Sequence, residues 1–569
     1  MAPGAPAALQ VEQLTVWYDG EQAPALREID LSLAPGERLL VLGASGAGKS
    51  TLALSLNGII PRAIGGHVEG RILLGGRPLD ELSSGELTRR VGVLFQDPES
   101  QFCMLTVADE VAFGLENLAL PAVEMPARIR AALRSVGLAG YEPTRSERLS
   151  GGMKQRLALA CLLAMGPEIL VLDEPTANLD PAGTRSVFSV VRALVADRRR
   201  ALVIIEHKLD ECVDLVDRVV VLSPAGGVAA DGPPRALFAQ QADRLEQLGV
   251  WQPAASRLAH HLRRRGWPAI HPHPLTVAEA TASFAAARIG PEVVFAAVPT
   301  ADPPTASPEP PALVIAGLSF AYGKPPVLRN LDLTVPAGHL LALVGPNGAG
   351  KTTLIQLAAG LRRPPRGTVR LFGRDVREYR PGELASTVGY VFQNPEHQFV
   401  RHTVYDEVAF GLELLGEPAE AIRPRVEELL ADFGLLEHRW ANPFCLSQGQ
   451  KRRLSVATQL ITGRRLLILD EPTFGQDPHT AGALMRRIVS LQQQGRTIVL
   501  VTHDVQLVST YATRVAVLVA GQVRLVGSPA ELMDRSEVLR AAALELSPMW
   551  AIAQALRTAT ACTTAAIPS

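Results

Sequence analysis

GASGAGKST at 43–51 and GPNGAGKTT at 345–353 set a lysine and two hydroxyls at the end of a glycine-rich run, twice in one chain. Such a run suits a polyphosphate. Glycines permit positive φ and close backbone approach, so successive N–H groups and the helix N-terminus behind them face the anion. The first cradle is read as Gly43, Ala44, Ser45, Gly46, Ala47 and Gly48, followed by Lys49, Ser50 and Thr51. The second is Gly345, Pro346, Asn347, Gly348, Ala349 and Gly350, followed by Lys351, Thr352 and Thr353. Lys49 and Lys351 can reach the β and γ phosphates, and the hydroxyls of Ser50 and Thr352 can ligate Mg²⁺. One match could be a plain strand-to-helix turn. Two, each after an apolar run and before a helical one, point to nucleotide phosphates.

LVLDEPTANLD at 170–180 and LILDEPTFGQD at 467–477 supply carboxylates. Asp173 and Asp470 end apolar strands, where a carboxylate can hold Mg²⁺ through its water shell. Glu174 and Glu471 follow directly and can polarise an attacking water, a contribution of roughly 10²–10⁴-fold in rate. A third pair carries no obvious chemistry of its own. FQDPESQF at 95–102 returns as FQNPEHQF at 392–399, and TVADEVAFGLEN at 106–117 returns as TVYDEVAFGLEL at 403–414. The common offset of 297 positions is an internal duplication.

The elements that must carry these residues alternate. RLLVLGASGAGKSTLALSL reads as strand, turn and helix; ILVLDEP, LLILDEP, ALVIIEH and TIVLVTH read as buried strands. Alternation of this kind predicts α/β domains with a mostly parallel sheet covered by helices. We expect one domain over 9–239, a helical and proline-rich linker over 240–311, a second domain over 312–545 and a frayed small-residue tail over 546–569. PTADPPTASPEPP at 299–311 cannot form a helix or a ladder. RLAHHLRRRGWPAI and PLTVAEATASFAAARI predict two short helices within 240–298. His260, His261, His271 and His273 lie there without an acidic or thiolate partner at ligand spacing, which argues against a metal site.

Lys+Arg 56 against Asp+Glu 57 leaves a net charge of −1, so no global basic field attracts nucleic acid. The five cysteines (Cys103, Cys161, Cys212, Cys445 and Cys562) lack CxxC spacing and are expected to be small buried hydrophobes in a reducing compartment. MAPGAPAALQVEQL has neither a charged n-region nor an apolar h-region, so no secretory signal is expected. No stretch approaches eighteen uninterrupted apolar residues, and no membrane span is expected.

LSGGMKQRL at 149–157 and LSQGQKRRL at 446–454 complete the pattern. With the phosphate loops and the strand-end carboxylates, both repeats resemble ATP-binding cassette (ABC) ATPases nearly end to end. The resemblance implies two tandem P-loop nucleotide-binding domains, each with a small antiparallel β part and a helical subdomain, and ATP with Mg²⁺ as ligands. It implies that Ser150 and Gly152 serve the nucleotide held by Lys351, and Ser447 and Gly449 the one held by Lys49, so that the chain forms its own head-to-tail pseudo-dimer. Met153 and Gln448 depart from the LSGGQ pattern, which makes unequal rates plausible. His207 and His503, 33 and 32 residues after Glu174 and Glu471, match the switch histidine. Tyr18 and Tyr322, 31 and 29 residues before the loop lysines, match the aromatic that stacks on adenine. Asp180 and Asp477 match the loop aspartates, and Gln96 and Gln393 match the glutamine that senses Mg²⁺ and the attacking water.

The extended string, F-Q-x-P-x-x-Q-F followed by T-V-x-D-E-V-A-F-G-L-E, resembles the ATPases of energy-coupling factor (ECF) transporters. That resemblance implies an importer of vitamins or metal ions. Its partners would be a membrane T-component, gripped through cytoplasmic helices, and a substrate-binding S-component, with the chain peripheral on the cytoplasmic face of the membrane. Gln101 and Gln398 are expected to share in that grip. Alternatives are the ATPase of another ABC transporter and a soluble tandem cassette protein acting on ribosomes. Against the latter, residues 240–312 hold six Arg, no Lys and six Asp or Glu, with many Ala and Pro, a poor match to RNA.

Overall fold

The computed structural model describes residues 7–177, 179–297, 301, 304, 309–473, 476 and 478–565. The chain divides into two compact units, 1–289 and 290–569. Each repeats one architecture. In the first, a six-stranded sheet runs in the order Val228–Gly232, Arg218–Leu222, Arg38–Gly43, Ala201–Ile205, Ile169–Asp173, Val91–Leu94. Every pairing is parallel except that between Arg218–Leu222 and Val228–Gly232. A four-stranded antiparallel sheet, ordered Leu26–Leu33, Leu9–Tyr18, Gly66–Leu74, Arg77–Pro78, accompanies it. The second unit repeats this with Val388–Val391, Leu466–Asp470, Thr497–Val501, Leu340–Val344, Arg514–Val519 and Gln522–Gly527, and with Leu328–Val335, Leu313–Phe320, Val369–Leu371 and Arg374–Asp375.

The phosphate-loop strands are apolar along Leu39–Leu42 and Leu340–Val344 because both their faces are covered. Along Arg38–Gly43, Leu39 and Val41 join one core with Leu9, Leu14 and Leu52, whereas Leu40 and Leu42 join another with Leu157, Leu172 and Val187. Leu341 and Leu343 separate in the same way from Leu340, Ala342 and Val344. These strands also sit where the chain order reverses, so their carboxyl ends open a crevice.

Between the repeats the structure differs from expectation. Among the described residues four helices, not two, lie within the region: Ala242–Gln247, Ala254–Arg264, Val277–Ala286 and Pro291–Ala297. The first three belong to the first unit and the last to the second. Nor is the described part of the C-terminal stretch, up to residue 565, irregular. Pro548–Ala565 is a helix that packs on Pro291–Ala297, with Trp550 and Phe295 edge to face at 4.9 Å. Small residues hide such a helix from periodicity, but Trp550, Ile552, Ala553 and Leu556 are buried. Cys212 is buried and Cys161 partly so, whereas Cys103 and Cys445 are exposed, contrary to expectation. Among the described residues no helix is long and apolar enough to cross a membrane.

Candidate functional site

Each glycine-rich loop turns straight into a helix. Gly48 caps Lys49–Leu56 at φ 87° and Gly350 caps Lys351–Ala358 at φ 99°. A Cβ on Gly48 would lie 2.4 Å from the Ala25 carbonyl oxygen, so both conformation and space require glycine. No side chain caps either helix, and neither first turn holds an acid. A helix N-terminus that no side chain caps and no acid neutralises suits a phosphate cradle. Lys49 Nζ donates to the carbonyls of Gly43 and Ala44, both at 2.9 Å, and Lys351 Nζ to those of Gly345 and Pro346 at 2.7 and 3.0 Å. Both ammonium groups thus sit over their own loops.

The carboxylates end the strands Ile169–Asp173 and Leu466–Asp470, each one strand removed from its phosphate-loop strand. Asp173 pairs in register with Ile205, and Asp470 with Val501. Burial pushes each aspartate up to about 6, against opposing contributions from the Ser50 hydroxyl for Asp173 and the Thr352 hydroxyl for Asp470. Thr352 Oγ1 donates to Asp470 Oδ2 at 3.2 Å. A hydroxyl beside a buried carboxylate is a hard-oxygen donor set, and it fits Mg²⁺ in both halves.

One residue on, Glu174 and Glu471 adopt φ 47° and 50°, left-handed values that non-glycine residues hold at some cost. Their N–H groups continue the ladder to Ile205 O and Val501 O at 2.9 and 3.0 Å, which fixes the turn. Glu174 Oε1 meets His207 Nε2 at 2.9 Å, and its Oε2 accepts from Gln96 Nε2 at 2.7 Å. Glu471 Oε1 meets His503 Nδ1 at 2.8 Å. Burial alone would raise both glutamates. The histidines, the loop lysines and, for Glu174, Gln96 reverse that and hold them below the usual value. Gln393 differs from Gln96: it is exposed, and among the described residues no hydrogen bond joins its side chain to Glu471. Its backbone is instead held by Arg452, whose Nη1 donates to Phe392 O at 2.9 Å and Nη2 to Gln393 O.

The signature serines are helix caps. Ser150 Oγ accepts from Met153 N and Ser447 Oγ from Gln450 N, opening Gly151–Met165 and Gln448–Leu460. Gln450 returns the bond to Ser447 N at 2.9 Å and closes a capping box. Met153 has no amide oxygen to accept from Ser150 N, so the first signature lacks that closure. Gly152 and Gly449 lie in the first turns of these helices. Tyr18 OH bonds Thr51 Oγ1 at 3.0 Å and Tyr322 OH bonds Thr353 Oγ1 at 3.2 Å. Tyr18 is half-buried against the core, whereas Tyr322 is 57% exposed, with the Arg362 guanidinium 4.7 Å above its ring. Asp180 caps the helix Pro181–Val195 through Gly183 N. Asp477 lies outside the described residues.

Some side chains had no role assigned from sequence. Glu206 Oε2 accepts from Thr176 Oγ1 at 2.6 Å, and its Oε1 accepts from the N–H groups of His207 and Lys208. Lys208 Nζ then reaches Leu179 O at 2.9 Å and Thr184 Oγ1 at 3.1 Å. This network ties the histidine turn to the turn before Asp180. In the repeated T-V-x-D-E-V string, Thr106 and Thr403 are helix N-caps that bond Asp109 and Asp406. Glu110 accepts from Cys103 N and Met104 N, as Glu407 does from Val400 N and Arg401 N. Both acids fasten the loop that leaves the glutamine string. Beside the first string a cavity of about 340 Å³ is lined by Gln101, Phe102, Glu110, Phe113 and Cys161.

With this geometry, comparison with known proteins is direct. The family model described as ABC transporter matches residues 26–177 and 328–474. The chain belongs to the ABC transporter ATP-binding family, with two ATP-binding domains in tandem. Over 528 residues it is 40% identical to a protein of Bacillus subtilis (strain 168) provisionally named HMP/thiamine import ATP-binding protein YkoD, covering 93% of this chain and 92% of the relative. A provisionally named ABC transporter ATP-binding protein of Methanosarcina acetivorans is 40% identical over 542 residues, covering 94% and 88%. A solved structure of cbiO1 from Clostridium perfringens, part of the ABC transporter complex cbiONQ, is 31% identical. It covers 45% of this chain and 99% of that one, with a TM-score of 0.38.

Proposed function

We propose that this chain is the ATP-hydrolysing, energy-coupling subunit of an ECF-type importer, peripheral on the cytoplasmic face of the membrane. One observation carries the reading. Gln96, inside the glutamine string, is hydrogen-bonded to Glu174. The carboxylate read as polarising the attacking water and the string read as gripping a membrane partner are therefore one bond apart. That string also borders the 340 Å³ cavity, whose mixed apolar and polar lining suits a partner's helix. A step at the γ-phosphate can thus shift the surface on which the partner sits.

In this reading the loop N–H groups with Lys49 and Lys351 bind the ATP phosphates, and Tyr18 and Tyr322 take the adenine. Glu174 and Glu471 orient and polarise water, while His207 and His503 hold those carboxylates in place. Ser50 with Asp173, and Thr352 with Asp470, hold Mg²⁺, which when bound neutralises phosphate charge. Gln96 donates to Glu174 through Nε2, which leaves its Oε1 for the metal's water shell. The cargo class we favour is a vitamin or its precursor, supported by the HMP/thiamine import named for the Bacillus relative. Substrate recognition rests with a separate S-component.

Purification of the full chain from detergent-solubilised membranes tests the assembly. A co-purifying T-like membrane protein is expected. Ribosomal RNA in its place would overturn the transporter reading.

A further inference from the structure

The duplication supplies an internal control: 297 positions separate equivalent residues, so each half shows what the other lacks. In the second half the helix Gln448–Leu460 fastens the glutamine string at three places. Lys451 Nζ meets Glu396 Oε1 at 2.6 Å. Arg452, only 5% exposed, donates to Phe392 O at 2.9 Å and also to Gln393 O. Gln398 Nε2 donates to Ser455 O at 2.8 Å and Thr458 Oγ1 at 3.0 Å.

At the equivalent positions the first half keeps Lys154 for Lys451, but has Gln155 for Arg452, Ala158 for Ser455 and Cys161 for Thr458. Gln155 is 1% exposed, and neither its Nε2 nor its Oε1 has a hydrogen-bond partner. It has the burial of Arg452 without the reach of a guanidinium. Gln101, the counterpart of Gln398, has a buried Nε2 that is likewise unpartnered. The Cys161 thiol, in the place of the Thr458 hydroxyl, points to Glu110 O at 3.6 Å instead. Buried polar groups left without partners are costly, so the conformation they occupy is weakly held.

We propose that Arg452 is a positioning residue that clamps the Phe392–Gln393 backbone to the signature helix, and that the first half, lacking this clamp, carries the looser of the two coupling strings. The halves then divide their labour. The string at 95–102 is the one that rearranges when Gln96 and Glu174 part, while that at 392–399 moves with its helix as one piece. The functional meaning of the clamp rests on the coupling role proposed above; the clamp itself does not.

Amide hydrogen exchange on the full chain decides it. A bond from a charged donor slows local opening roughly 10-fold or more, so 392–399 should exchange about that much more slowly than 95–102. Arg452→Gln should bring 392–399 to within about 3-fold of 95–102, Arg452→Lys should recover part of the protection, and Gln155→Arg should slow exchange at 95–102. Equal exchange of the two strings in the unmutated chain would overturn the proposal. So would unchanged exchange at 392–399 in an Arg452→Gln variant whose strand Leu466–Asp470 stays protected. If that variant does not fold, Gln155→Arg carries the same decision. Under the ATPase reading, Arg452→Gln in a Glu174→Gln background should lower kcat with KM held. Absence of phosphate release from the unmutated chain would count against that reading and leave the exchange result standing.

Discussion

At the scale of single residues, Glu174 and Glu471 share a backbone turn and a histidine partner, but among the described residues only Glu174 has a glutamine on its second oxygen. The two glutamines should therefore be unequal in weight. A hydrogen bond to a charged group typically contributes enough to change an aligned population roughly 10–100-fold. Gln96→Ala in a Glu471→Gln background, where only the first glutamate can act, should lower phosphate release by about that factor. Gln393→Ala in a Glu174→Gln background should change release by less than about 3-fold, since Gln393 makes no such bond. Equal losses would show that Gln393 closes on Glu471 during turnover. The phosphate loops and strand-end carboxylates were legible in the sequence because their chemistry is set by spacing along the chain. Glu206, Lys208 and Arg452 were not, because their partners lie 30, 24 and 60 positions away and only the sheet brings them together.

Among the elements, the helices after the first repeat show where patterns run out. Periodicity found Ala254–Arg264 and Val277–Ala286 but gave no account of the segment between them. That segment places His273 Nε2 2.6 Å from Ser256 Oγ, while Arg235 forks onto Glu279. Burial pushes His273 down to about 4, helped by the charge of Arg235 and by His260, His271 and Arg263. A histidine whose folded value lies below its unfolded one of about 6.5 opposes folding once it must charge. Its contribution is intact at neutral pH and is lost as pH falls from about 6.5 towards 4. After discounting for solvent screening, the unmutated chain should lose about 1 kcal/mol more than His273→Gln between pH 7 and pH 5. Urea unfolding of both proteins at the two pH values measures this. Parallel losses would place His273 outside the pH response.

Across the whole molecule, the duplication is complete in motifs and incomplete in fastenings. Both units carry the same two sheets, the same loop and the same carboxylate pair, which the 297-residue offset made plain from sequence. The second unit adds a terminal clasp, Pro291–Ala297 against Pro548–Ala565, hidden because alanine and threonine leave no apolar stripe. Trp550→Ala removes the ring packed on Phe295 and should destabilise the second unit by about 3 kcal/mol, visible in its unfolding transition and not in that of the first. The central claim is that each half holds a working ATP site. Phosphate release from the purified full chain with ATP and Mg²⁺ tests it most directly, compared across the unmutated protein, Glu174→Gln, Glu471→Gln and the double variant. Each single variant should be impaired and the double variant should fall by roughly 10²-fold or more; normal release from either single variant would contradict two active sites.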